Sequence, residues 1–304
     1  MITISKTELT VYPLCLGGNV FGWSADRNQS FDVLDAFLGY GGNFIDTADV
    51  YSAWKEGNVG GESESIIGAW MKERGNRDSI VIATKVAKLP TRAGLSKSNI
   101  IAAAEDSLRR LQSDYIDLYY AHEDDEKVPQ EEYLAAFDHL VTSGKVRYIA
   151  ASNFSGDRLM SAAQTSQKEG LASFVAIQNH YNLLERKEYE ELVPTLDQLG
   201  VSGIPYFGLA RGFLTGKYRD GVKVESVRAS GVSAYQNTRG YEMVDRLEGI
   251  ARERGATTSQ IALAWLRAQP TIAAPIASAR TVEQLHEIAP LVTLSEEELA
   301  LLSK

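Results

Sequence analysis

Asn43-Phe-Ile-Asp46-Thr-Ala-Asp-Val-Tyr51 is a strand-like apolar run that ends on a carboxylate, then turns through a short segment to a tyrosine. Two later stretches are built the same way. Ser79-Ile-Val-Ile-Ala-Thr-Lys85 ends on a lysine, and Asp114-Tyr-Ile-Asp-Leu-Tyr-Tyr-Ala-His122 ends on a histidine. One polar residue closing a buried strand is ordinary. Polar residues closing three successive strands, each followed by a helical stretch, point to one site at the carboxyl rim of a parallel sheet or barrel, where barrel enzymes place their chemistry.

Outward from these strands the same alternation fills the chain. Leu14-Cys-Leu-Gly-Gly reads as a first buried strand, and further strands are expected near 147–152, 174–178, 202–206 and 272–276. Residues 2–12 alternate enough for a short hairpin before the main fold. Between the strands the apolar residues recur at helical spacing. Ile100, Ile101, Ala104, Leu108 and Leu111 form one stripe after Ser98, the expected N-cap. Tyr133 to Val141 continues the pattern up to Gly144, Gln260-Ile-Ala-Leu-Ala-Trp-Leu reads as a buried helix, and Thr281-Val-Glu-Gln284 has the form of a capping box at the start of the last main helix. Eight strands alternating with helices in 304 residues give an α/β chain folded as a (β/α)8 TIM barrel, one domain over 1–304, with a doubly wound open sheet as the alternative. The longest irregular stretch, roughly 215–240, is rich in Gly, Ser, Arg and Tyr, and a loop of that length is usually functional or mobile.

The bulk numbers narrow the function. A hydrophobic fraction of 44% with 23% charged residues is ordinary for a soluble globular protein. A formal net charge of -9 argues against a general binder of nucleic acid or of acidic membranes. The one cysteine, Cys15, forms no intramolecular disulfide and lies within Val11-Tyr-Pro-Leu-Cys-Leu, an apolar run that suits a buried thiol. No run is long enough for a membrane span, and the first residues lack the pattern of a signal peptide, so a cytoplasmic protein is expected.

Three familiar motifs fail. There is no Gly-x-Gly-x-x-Gly. Gly212-Phe-Leu-Thr-Gly216-Lys217-Tyr218 has its glycines one residue too close for a phosphate loop, and a tyrosine where a metal-binding hydroxyl belongs. His122-Glu-Asp-Asp125 has no second histidine nearby, so no metal is expected and a solvated acidic loop is the simpler reading.

The four rim residues make chemical sense as a set. A free tyrosine has a pKa of about 10. A lysine ammonium close to Tyr51 favours the phenolate, and at an effective dielectric of about 20 two unit charges 4 Å apart interact by about 4 kcal/mol, enough to lower that pKa by two or three units. Asp46 holds Lys85 charged and oriented, and His122 positions a substrate oxygen. Such a site donates a proton from Tyr51 to a carbonyl oxygen while a hydride reaches the carbon. Taken singly, each residue also has a plain structural role: Asp46 as a helix cap, Lys85 in an ion pair, His122 as a hydrogen-bonded core histidine.

These residues, with their surroundings, resemble the aldo-keto reductase family over roughly residues 10 to 290. Phe44-Ile-Asp46-Thr-Ala-Asp-Val-Tyr51 followed by Gly61-Glu-Ser-Glu, Ala83-Thr-Lys85, and Asp117-Leu-Tyr-Tyr-Ala-His122 are similar to the segments that carry the family's catalytic tetrad, and all four residue types are kept. The resemblance implies the barrel and NAD(P)H-dependent reduction of aldehydes or ketones, with NADP(H) preferred and NAD(H) admitted. It also implies a cofactor site. Ser152, Asn153 and Gln178 correspond to the residues that meet the nicotinamide carboxamide, and Asn19 to a donor near its ribose. Tyr206 corresponds to the aromatic residue that stacks on the nicotinamide, with Phe207 beside it. Leu209, Gly212, Leu214 and Lys217 correspond to the loop around the pyrophosphate. Ser278, Arg280 and Gln284 correspond to the adenosine end, with Arg280 suited to a 2′-phosphate. Ile288 stands where many relatives have an asparagine that bonds adenine. Trp23, Trp54, Tyr181, Phe207 and Arg211 flank strand ends as candidate linings of the substrate pocket. A small carbonyl or alcohol is the expected partner, with neither nucleic acid nor membrane. The competing reading on the same fold is a nicotinamide-binding regulatory or sensor subunit with slow turnover, like the channel-associated members. A barrel of unrelated chemistry, with no nicotinamide binding, is the third.

Overall fold

The computed structural model describes residues 1–219 and 229–304. Eight strands form one sheet: β1 (Cys15–Gly17), β2 (Phe44–Asp46), β3 (Val81–Val86), β4 (Ile116–Ala121), β5 (Val146–Ser152), β6 (Phe174–Gln178), β7 (Ser202–Gly203) and β8 (Ile276–Ala277). Every pairing is parallel, and the hydrogen-bonded order is β7-β6-β5-β4-β3-β2-β1-β8. The two ends of this order meet. Gly203 N donates to Thr271 O at 2.7 Å, Ala273 N to Gly203 O at 2.9 Å, and Ile276 N to Pro205 O at 2.8 Å. That meeting decides for the barrel over the open sheet.

Helices follow the strands in turn: α1 (Arg27–Gly39), α2 (Glu62–Arg74), α3 (Lys97–Leu111), α4 (Gln130–Thr142), α5 (Gly156–Glu169) and α6 (Lys187–Leu199). Two helices, α7 (Thr238–Arg254) and α8 (Thr258–Arg267), lie between β7 and β8. α9 (Val282–His286) and α10 (Glu296–Ser303) come last.

Strand side chains alternate between the two faces of the sheet, so one parity faces the helices and the other the barrel axis. Leu16, Ile45, Ile82, Tyr119, Ile149 and Ile177 pack outward in the large core under the helices. Cys15, Phe44, Ala83, Leu118, Tyr120, Ala150 and Ala176 fill the barrel interior. The expected N-terminal hairpin is present, pairing Ile2 with Val11 and Thr3 with Thr10. Its Ile4, Leu9 and Val11 join the interior cluster, so the hairpin plugs that end of the barrel.

Some boundaries differ from the sequence reading. α3 is capped by Ser96, whose hydroxyl accepts from Asn99 N, and Ser98 lies inside the helix. The eighth strand is centred later than expected, at Ile276–Ala277, although Ile272 still makes a bridge to Gly203. Thr281 caps α9 as expected by accepting from Gln284 N, but the Gln284 side chain accepts from Arg280 N, so the capping box is only half formed. α9 is a five-residue turn; the closing helix is α10, which has a full box between Ser295 and Glu298. Part of the irregular stretch, 220–228, lies outside the described residues.

Candidate active site

The alternation that builds the barrel interior also delivers the polar residues. Two positions beyond Phe44 stands Asp46; two beyond Ala83, Lys85; two beyond Tyr120, His122; two beyond Ala150, Ser152; two beyond Ala176, Gln178. Each continues the inward-facing set of its strand and forms the last layer before the carboxyl rim. The stagger of neighbouring strands sets their relative heights: Asp46 pairs with Ala83 and Lys85 with Tyr120.

Lys85 is fully buried and Asp46 is 1% exposed. Lys85 Nζ donates to both carboxylate oxygens of Asp46 at 2.6 Å, to Thr47 O at 2.8 Å and to Tyr51 Oη at 2.9 Å. Tyr51 Oη in turn donates to Asp46 Oδ2 at 3.0 Å, and Gln178 Nε2 to Asp46 Oδ1 at 2.9 Å. The Asp46 carboxylate is thus satisfied on all sides, as a buried charge requires. The His122 ring stands 6.1 Å from that of Tyr51, edge to face. Its Nδ1 is buried without a partner, which leaves Nε2 as the ring nitrogen open to the cleft that His122 lines.

One electrostatic expectation is reversed. The Tyr51 pKa is pushed well above its ordinary value, first by burial, then by the charge of Asp46 and by the hydrogen bond that Tyr51 gives it. The Lys85 charge is spent on Asp46 and does not draw the phenol toward phenolate. Burial also pulls the Lys85 pKa down, with Asp46 opposing. His122 is held well below its ordinary value by burial and then by the nearby charges of Lys85 and Lys88, so it is neutral at pH 7. Burial keeps the Cys15 thiol protonated, and Cys15 lies in the barrel core with no part in the cleft.

A cleft of about 570 Å³ opens over this cluster and reaches residues beyond β8. Tyr51, Trp54, Lys88 and His122 line it at one end, and Arg280, Gln284, Glu287 and Ile288 at the other. Asn19, Ser152, Asn153, Gln178, Tyr206, Phe207, Leu209, Arg211, Gly212, Lys217 and Ser278 also face it. Leu214 does not: it is fully buried in the large core, because the chain kinks at Arg211 and Gly212 and turns it inward. Tyr181 does not either. It is 2% exposed and stacks on Tyr189 at 4.4 Å, against Trp265, so its place in the substrate pocket is withdrawn. Trp23 stands behind the lining, edge-on to Trp54 at 5.7 Å. Sequence reasoning missed Lys88, Thr215, Ser259 and Glu287 as linings.

The polar residues near the tetrad are tied to one another. Ser152 Oγ donates to Gln178 O at 2.8 Å, Asn153 Nδ2 to His122 O at 2.9 Å, and Tyr206 Oη to Asn153 Oδ1 at 2.8 Å. Behind Tyr206, the His180 ring is stacked at 5.4 Å and is held by Glu185 at 2.7 Å. Phe207, Ala210 and Arg211 have positive φ, which costs L residues on the order of 1–2 kcal/mol each. Strain of this kind is carried where a loop must take one particular path, here along the cleft. Gly17, also in the lining, is packed tightly against Ser278, since a Cβ there would lie 2.5 Å from Ser278 Oγ.

The cleft fits a dinucleotide. An aromatic ring at Tyr206, a close-packed Gly17 and two cations, Lys217 and Arg280, all line it. Among the described residues neither Lys217 nor Arg280 has an ion-pair partner. No group of metal-binding side chains occurs among the described residues. The acidic loop after His122 is instead engaged locally: Asp124 pairs with Arg158, and Asp125 accepts from the Leu95 and Lys127 amides.

The chain belongs to the aldo/keto reductase family, whose model matches residues 13–304. Its relatives span most of its length. It is 36% identical over 301 residues to the uncharacterized oxidoreductase YrpG of Bacillus subtilis, covering 96% of this chain and 90% of that protein. It is 34% identical over 304 residues to a putative voltage-gated potassium channel subunit beta of Schizosaccharomyces pombe, covering 93% and 85%. It is 32% identical over 334 residues to the aldo-keto reductase AMT2 of Alternaria alternata, covering 97% and 88%.

Proposed function

We propose that the protein is an NADP(H)-dependent oxidoreductase that reversibly reduces an aldehyde or ketone to an alcohol. The observation that carries this reading is the Tyr51 phenol, fixed between Lys85 and Asp46 at one end of a cleft that continues to Arg280. Bound reduced nicotinamide supplies the hydride that the carbonyl carbon needs. His122, neutral, donates from Nε2 to the carbonyl oxygen and orients it. Tyr51 turns its hydroxyl from Asp46 and passes the proton to that oxygen, so carbon gains a hydride, oxygen a proton, and the product is an alcohol. Lys85 keeps donating to the phenolic oxygen as the proton leaves, and so stabilises the phenolate only when charge develops, which is the kind of contact that raises kcat. Asp46 holds Lys85 in place. Asn19, Ser152, Asn153 and Gln178 would hold the nicotinamide end, with Tyr206 stacking on its ring. Lys217 would meet the pyrophosphate and Arg280 the 2′-phosphate, with Ser278 and Gln284 shaping the wall around it. Ile288 offers the adenine an apolar contact in place of a hydrogen bond.

Absorbance of NADPH at its reduced band, followed with a panel of aldehydes and, in reverse, with NADP⁺ and alcohols, tests the reading. No turnover with any member in either direction would defeat it. The similarity to a channel subunit favours a second reading, a nicotinamide-binding sensor with slow turnover. Tight NADPH binding without multiple turnovers would select that reading.

A further inference from the structure

We infer that Lys88 selects the substrate, and that the preferred substrates are aldehydes or ketones carrying a carboxylate away from the carbonyl group. The inference rests on the carbonyl-reductase reading for the reacting group and adds the rest of the molecule.

Six fully charged side chains among the described residues line the cleft: Asp46, Lys88, Arg211, Lys217, Arg280 and Glu287. Asp46 is neutralised by Lys85. Glu287 and Arg280 both follow β8 in the chain, and Lys217 follows the kinked turn at Arg211 and Gly212. Arg211 lies over the Phe207 ring at 4.2 Å. Lys88 lines the same cleft as Tyr51 and Trp54 and is near enough for its charge to act on the His122 ring. Lys88 thus places one cation, loosely paired with Glu123, near His122 in a protein whose net charge is -9. An ammonium there can bind an anion once Glu123 is displaced.

The position of Lys88 is built. Ala87, fully buried, has φ 118, a conformation strained for any residue with a Cβ, and it turns the end of β3 into a two-stranded hairpin in which Lys88–Leu89 pairs with Arg92–Ala93. The hairpin is tied down on each side. Gly94 N donates to Ala87 O at 2.8 Å, Asn99 Nδ2 to Gly94 O at 2.6 Å, and Arg92 pairs with Asp106 at 2.8 Å. Leu89, buried, packs onto Gly60, where a Cβ would come within 2.6 Å. Strain held by surrounding structure marks a position fixed for use.

The Lys88 ammonium has only a loose partner. It lies 3.3 Å from Glu123 Oε2, and the two side chains are 35% and 48% exposed. An exposed pair of this kind contributes little, so a ligand anion that also buries apolar surface on Trp54 can displace Glu123. One ammonium balances one negative charge, which suits a monocarboxylate better than a phosphate dianion.

The test is binding of 4-carboxybenzaldehyde and of its methyl ester to the NADP⁺-loaded protein, read by tryptophan quenching, since oxidised cofactor permits no reduction. The wild type should bind the acid more tightly than the ester. Lys88→Met should lower the acid-to-ester affinity ratio about tenfold, as loss of one partly exposed charge-assisted contact implies. Glu123→Gln should raise the ratio, because it removes the competitor. An ester bound as tightly as the acid in the wild type, or a ratio that survives Lys88→Met, overturns the inference. Lys88-dependent binding of the acid with no NADPH oxidation would overturn the carbonyl-reductase reading alone and leave the anion site standing.

Discussion

Lys85 Nζ lies 2.6 Å from both carboxylate oxygens of Asp46, with Lys85 fully buried and Asp46 1% exposed. Lys85 lies closer to the Asp46 carboxylate than to the Tyr51 hydroxyl, 2.6 Å against 2.9 Å, so the cation beside Tyr51 is already compensated. Tyr51 is consequently a protonated phenol at neutral pH, poised to give a proton rather than to take one. On the proposed carbonyl-reductase reading, alcohol oxidation should accelerate with rising pH as the phenolate becomes accessible.

Tyr51→Phe removes the proton donor and leaves the ring in place. Its turnover should fall by about 10²–10⁴-fold, the usual contribution of a positioned acid, while the NADPH dissociation constant stays near that of the wild type. Stopped-flow reduction and fluorescence titration measure the two quantities. Near wild-type turnover on a good carbonyl substrate would remove Tyr51 from its role.

Lys85→Met strands the Asp46 charge in the barrel interior. Breaking one side of a buried pair typically costs about 3–5 kcal/mol, and urea denaturation should show a loss of that size. Adding Asp46→Asn should recover part of it, because the orphaned charge is gone. Equal losses in the single and double variants would mean that packing, and not charge, accounts for the cost.

Strand parity makes much of this site legible in the sequence alone. Asp46, Lys85 and His122 each sit two residues past an interior residue on a strand, and period-two alternation carries directly into the barrel. Beyond the strand ends that rule stops. Tyr181 lies past the end of β6, and nothing in Gln178-Asn-His-Tyr181 says that its ring turns back to stack on Tyr189. Leu214 was misplaced because the kink at Arg211 and Gly212 breaks the local repeat. Lys88 was missed because its place depends on the positive φ of Ala87, which alanine does not advertise. The sign of the Tyr51 shift needed distances: a lysine and an aspartate pull opposite ways, and only the 2.6 Å contact between them decides which is spent.

Arg280→Ala tests the cofactor preference. Arg280 faces the cleft among groups that would meet the adenosine end, and a charge-assisted contact to a 2′-phosphate is worth about 1.5–3 kcal/mol, or roughly tenfold to hundredfold in affinity. The variant should lose that factor for NADPH and almost none for NADH. Ile288 would meet the adenine of either cofactor alike and should leave the preference unchanged. Fluorescence titration with both cofactors decides, and equal losses would show that Arg280 does not read the phosphate.

Asp49, two residues before Tyr51, predicts a pH dependence of stability. It is fully buried, neither carboxylate oxygen makes a well-formed hydrogen bond, and the Val50 amide gives only weak help. Burial, with the charge of Glu64 added, pushes its pKa up to about 7 against the opposing pull of Arg110 and Arg92. The unfolded chain has the ordinary carboxylate value of about 3.9. Between these values the folded state keeps a proton that the unfolded state has lost, so stability falls as pH rises from about 4 to about 7. A difference of about 3 units corresponds to roughly 4 kcal/mol. Asp49→Asn removes the titration. Its unfolding free energy should therefore lose less than the wild type's across that window, and the gap between the two proteins should shift in the variant's favour by up to roughly 4 kcal/mol. Urea denaturation of both proteins at pH 4.5, 6 and 8 measures the gap, and a constant gap over that range would show that Asp49 is ionised throughout.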